Sequence, residues 1–132
     1  MKRVQAHAPW VADWGYSRAV RRGAMIEVGG TTAGKADGTI VGIGDAYEQT
    51  KYALSVVMDA VIELGGSLED VVRTRVFLRN IDEWREAGRA HAELFGEHLP
   101  TSSCVGGAAL LHPDLLVEIE LTAVLDEPPR AG

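Results

Sequence analysis

Two spacings of apolar residues alternate along the chain, and each predicts a different element. Over residues 45–64, Tyr47, Thr50, Leu54, Val57, Met58, Val61 and Ile62 fall near i, i+3, i+4, i+7, the stripe of an amphipathic helix. Asp45 is its candidate N-cap, with Glu48 three residues on, and Gly65-Gly66 supplies a left-handed stop. A second stripe, Trp84, Ala87, Gly88, His91, Leu94 and Phe95, follows an Asn80 cap and breaks at Gly96–Pro100. Strands are predicted at Tyr16–Val20, which turns through Arg21-Arg22-Gly23 into Met25–Val28, and then at Val71–Leu78, Ser102–Leu110 and Leu116–Val124. Residues 31–45 read as a Gly- and Thr-rich loop with a short edge strand at Thr39–Val41, and residues 1–14 show no clean period. The order β-β-α-β-α-β-β predicts an α+β single domain over 15–125, with an N-terminal extension at 1–14 and a flexible tail at 126–132.

Two helices cover one face of such a sheet. Met25-Ile26, Val71-Val72 and the run 103–110 nevertheless place small or apolar residues on both faces of their strands. A second apolar face predicts an oligomer that buries it. In the last strand the apolar set Val117, Ile119, Leu121 and Ala123 faces the helices, so Glu118 and Glu120 share the other face. They either pair across strands with Arg73 and Arg75 or line a cleft where a carboxylate moves a proton. Arg18 lies two residues after Tyr16 and leaves its strand on the same side. Backbone N–H groups of Gly29, Gly30 and Thr31 are candidates for holding a carboxylate, although no helix follows to make a phosphate loop. His91 sits in an apolar stripe and is read first as a packing histidine, second as a catalytic one. Cys104 reads as a buried structural cysteine, because no basic neighbour in sequence would stabilise a thiolate.

Composition narrows the function. Thirteen Lys and Arg against nineteen Asp and Glu give a net charge of −6 over 132 residues, so a nucleic-acid partner would meet an opposing field. No apolar run reaches the length of a membrane span, and a single cysteine makes no internal disulfide. No metal-ligand spacing is present, and the expectation is a cytoplasmic protein without metal or cofactor.

Six blocks occur in order: Gly15–Val20, Ile26–Gly30, Leu68–Leu78, Phe95–His98, Pro100–Val105 and Val117–Glu120. Together they resemble the RidA family, also called YjgF or L-PSP-type proteins. The resemblance implies a chorismate-mutase-like fold, a homotrimer with a barrel-like core, and ligand clefts between subunits. It also implies hydrolysis of reactive imines and enamines to 2-oxo acids and ammonia. Carried onto this chain, it makes Glu118 the catalytic carboxylate that holds water. Tyr16 becomes the cleft tyrosine and Gly29-Gly30 the bend of the second strand. Gly88 stands where an asparagine is usual, and Ser102, Ser103 and Cys104 form the block that carries a carboxylate-gripping arginine in active relatives. Here Ser102 takes the place of that arginine, and Arg18, on the face of the matching Tyr16, either stands in for it as the grip on an anion or is a rim charge. Three functions follow. The first is a divergent deaminase acting on a 2-oxo or imino acid class of small molecule. The second is a non-catalytic ligand-binding or regulatory trimer. The third is an endoribonuclease, which the net charge disfavours.

Overall fold

Val117, Ile119, Leu121 and Ala123 alternate along the last strand and are all fully buried, and this alternation fixes the centre of the sheet. The structure, a computed structural model, describes residues 1–126. Its strands are β1 (Lys2–Gln5), β2 (Ser17–Arg22), β3 (Met25–Thr31), β4 (Val71–Leu78), β5 (Thr101–Val105) and β6 (Val117–Val124). They form one sheet in the order β1-β2-β3-β6-β4-β5, antiparallel except for the β4–β5 pair. The helices are α1 (Val11–Trp14), α2 (Ala46–Glu63) and α3 (Trp84–Phe95). Helix α2 lays Ala53, Leu54, Val57 and Val61 on the inward side chains of β3, β4 and β6, with Phe95 of α3 closing the same core.

The fold is the expected α+β arrangement with helices on one side of the sheet. Asp45 caps α2, accepting from the Glu48 N–H at 3.0 Å, and Gly65 adopts φ 90° behind it. Asn80 instead caps a single 3-10 turn, Ile81–Glu83, that leads into α3.

Four elements differ from expectation. Residues 2–5, inside the segment given no element, pair with β2 as an edge strand, and Val11–Trp14 makes one helical turn. Four residues with little burial leave no alternation to detect. The loop 31–45 holds no edge strand, only an isolated bridge between Gly34 and Ile40. The strand expected over Ser102–Leu110 stops at Val105. Gly106 lies so close to Ile81 that a side chain there would collide with it, and Gly107 turns the chain with φ 73°. The tail expected at 126–132 lies, beyond Asp126, outside the described residues. Among the described residues no helix is long and apolar enough to cross a membrane.

Candidate functional site

A break in strand register builds the site. Between Val28 and Thr31, β3 uses three residues where β6 uses two, from Leu121 to Ile119, so Gly29-Gly30 forms a bulge. Glu118 is half-buried on the sheet face away from the helices and leans over this bulge. Its Oε1 occupies the space that a side chain at Gly30 would need, and its Cδ lies 2.8 Å from that Cβ position. Glycine at 30 is therefore a condition for the carboxylate to lie where it does.

Arg18 crosses from β2 to the same bulge. Its Nη1 donates to the Gly30 carbonyl and to Thr31 Oγ1, each at 3.0 Å, and the Thr31 hydroxyl donates to the Gly29 carbonyl at 2.9 Å. Tyr16 lies just before β2, and its hydroxyl accepts from the Trp10 indole N–H at 3.0 Å. The hydroxyl hydrogen of Tyr16 stays available to a ligand. Tyr16, Arg18, Gly30 and Glu118 line one cavity of about 270 Å³, closed by Trp10 and Leu111. Burial pushes the Glu118 carboxyl above its ordinary range. The Glu120 charge pushes the same way, and Arg18 pulls it back down. Burial also lowers the Arg18 guanidinium from its usual value, against the opposing pull of Tyr16 and Glu118.

The two glutamates part company here. Glu120 stands opposite Arg75 across β4, as cross-strand pairing would have it, whereas Glu118 stands opposite Phe77. Trp10 was missed because residues 1–14 carry no periodic signal. Lys35 and His112, also on the cavity wall, sit in loops for the same reason.

Two of the remaining candidates, His91 and Ser102, meet in a second cluster. The fully buried Thr74 hydroxyl donates to Ser102 Oγ at 2.7 Å and lies 2.8 Å from His91 Nε2. The His91 ring packs on Phe95 with centroids 4.8 Å apart, and burial lowers its pKa. Gly88 lies one turn before His91 on α3, with open space at its Cβ position apart from the Trp84 ring at 4.0 Å. Ser103 and Cys104 are exposed on β5, the edge strand of the sheet. Cys104 is thus a surface residue of the protomer, not a buried one, because no strand pairs beyond β5. What burial its thiol has raises its pKa. From β2 to β5 is four strand spacings, roughly 19 Å, so one protomer does not bring Arg18 and Ser102 together. Among the described residues no three His, Cys, Asp or Glu side chains gather as a metal site.

The sequence profile of the family described as Endoribonuclease L-PSP matches residues 6–125. The chain belongs to the RidA (YjgF, L-PSP) family. Among curated relatives, SCO2049 of Streptomyces coelicolor is 39% identical over 123 residues, covering 93% of this chain and 91% of that one. The 3-aminoacrylate deaminase RutC of Acinetobacter baylyi is 32% identical over 108 residues, covering 82% and 85%. Among solved structures, Rv2704 of Mycobacterium tuberculosis, a member of the YjgF/YER057c/UK114 family, superposes with a TM-score of 0.82 at 41% identity, covering 94% of this chain and 98% of that one. In this RidA-family chain, as in no reading of spacing alone, the bulge glycine and the glutamate are locked together by volume.

Proposed function

We propose that the protein hydrolyses a small imine or enamine in a cleft shared by two protomers, with Glu118 as the base. The observation that carries this reading is the half-buried Glu118 carboxylate, raised in pKa, facing a cavity beside Arg18 and the Tyr16 hydroxyl. A carboxylate with a raised pKa is a better proton acceptor from water than an ordinary one. Glu118 takes a proton from water as the oxygen bonds to the C=N carbon. Nitrogen accepts that proton to give a carbinolamine, the hydroxyl proton then passes to nitrogen by way of the Glu118 carboxylate as the C–N bond breaks, and ammonia leaves a carbonyl product behind. The relative named 3-aminoacrylate deaminase supports chemistry of this class.

Arg18 is the grip for the substrate carboxylate. Its Nη1 is held by Gly30 and Thr31, and among the described residues no acceptor takes its other N–H groups, which leaves them to meet an anion. The roughly 19 Å between Arg18 and Ser102 supports a cleft assembled from two protomers of a homotrimer, each giving one cluster. The test is calorimetric binding of 2-oxobutyrate, a product-like acid. Wild type binds it, and Arg18→Ala weakens binding at least tenfold, as loss of a charge-assisted pair requires. Equal binding by the two proteins removes Arg18 from the site.

A second reading is a ligand-binding trimer without turnover. The neutral Ser102, in the block where active relatives carry arginine, favours it. Binding of 2-oxobutyrate without hydrolysis of any imine would select it.

A further inference from the structure

The cluster of Ser102, Thr74 and His91 has no place in the chemistry assigned to Glu118, and its hydrogen bonds run from a half-buried imidazole to an exposed hydroxyl. Thr74 is fully buried, yet its hydroxyl bridges two polar groups at once, Ser102 Oγ at 2.7 Å and His91 Nε2 at 2.8 Å. With Thr74 donating to Ser102, His91 donates from Nε2, and the Ser102 hydrogen points away from the chain of bonds. Reversing every bond moves the imidazole proton to Nδ1 and turns Ser102 into an acceptor for an outside donor. Neither state separates charge, because burial keeps His91 neutral near pH 7. Ser102 is exposed on the edge strand, so the chain ends where a ligand can reach it. None of its three members carries a positive charge.

We propose that Ser102, backed by Thr74 and His91, takes an uncharged polar group of the ligand, a carbonyl or hydroxyl, and discriminates against a second carboxylate there. Ser102 touches the ligand, while Thr74 and His91 are positioning residues that act through it. This rests on the two-protomer cleft proposed above and names the substrate class more narrowly: a 2-oxo or imino acid whose far end is polar and neutral. A carboxylate at that end would lose its hydration and gain only a hydroxyl, while a carbonyl exchanges one water contact for one oriented donor.

Three probes of similar length test it by calorimetry: 2-oxoglutarate, its 5-methyl monoester, and 2-oxohexanoate. Wild type is expected to bind the monoester about fivefold to tenfold more tightly than either of the others, the value of one oriented hydrogen bond. Thr74→Val and Ser102→Ala level the monoester with 2-oxohexanoate, whereas Thr74→Ser keeps the preference. In ¹⁵N spectra of wild type, the monoester shifts the His91 ring resonances although it does not touch them, and 2-oxohexanoate does not. Binding of all three probes with equal affinity, or a preference that survives Thr74→Val, overturns the inference and leaves the Glu118 site standing. Failure of every probe, and of 2-oxobutyrate, to bind at 10-millimolar concentration (on the order of a weak metabolite site) overturns both.

Discussion

Glu118 is held between opposing influences, and its neighbours are the residues that decide its chemistry. Burial and Glu120 disfavour its charge, while Arg18 favours it. Removing Arg18 therefore raises the Glu118 pKa further, and ¹³C titration of the carboxyl in Arg18→Ala is expected to show the upward move. Its folded pKa lies above the unfolded value of about 4.3, so ionising Glu118 costs the fold stability as pH rises past that window. Below about pH 4 both states are protonated and the cost vanishes. Glu118→Gln is thus expected to raise Tm at pH 7 and to leave it unchanged at pH 3 in a calorimetric scan. Gly30→Ala is expected to displace the carboxylate, visible as a changed Glu118 rotamer in a crystal structure and as lost activity in a folded protein. Strand alternation put Glu118 with Glu120 and Arg18 with Tyr16 on shared faces, and the family resemblance then singled out Glu118 and made Arg18 a candidate grip. The role of Gly30 was not, since alternation shows which face a residue shares but not how closely two strands bring a side chain and a backbone.

Helix α2 was readable nearly to its ends because eighteen residues repeat one period and Asp45 and Gly65 punctuate it. Strand β5 was overrun because small residues continue past Val105 with no change in composition, and only the approach to Ile81 stops the strand. The loops that close the cavity carry no period, yet one buried residue of α2 fixes them. Gln49 donates to the carbonyls of Gly42 and Asp114 at 3.2 and 2.8 Å and accepts from the Leu116 N–H at 2.9 Å. It is wholly buried, so Gln49→Leu strands the Asp114 carbonyl and the Leu116 N–H, while the Gly42 carbonyl keeps the Asp45 N–H at 2.9 Å. The expected loss is about 3 kcal/mol in urea unfolding. The helical stripe gave no hint of this, because Gln49 lies off the apolar positions that define it.

At the scale of the molecule, the sheet face away from the helices is mixed, not uniformly apolar as the sequence pattern implied. Met25, Val72 and Val124 gather at one end, each more than 40% exposed, while Arg73, Arg75, Glu118 and Glu120 occupy the rest. An apolar end beside a paired charge pattern suits burial against copies of the same chain. Native mass spectrometry is expected to give a species of three times 14.2 kDa, and a monomer at micromolar concentration would contradict the shared cleft. The proposed hydrolysis turns on Glu118. Imines made in place by an amino-acid oxidase can be trapped with semicarbazide, and a deaminase competes with the trap. Wild-type protein is predicted to lower semicarbazone formation from at least one amino acid and to speed release of free 2-oxo acid above the uncatalysed rate, while Glu118→Gln does neither. Wild type without effect on any imine in the series, or Glu118→Gln as effective as wild type, would contradict the account.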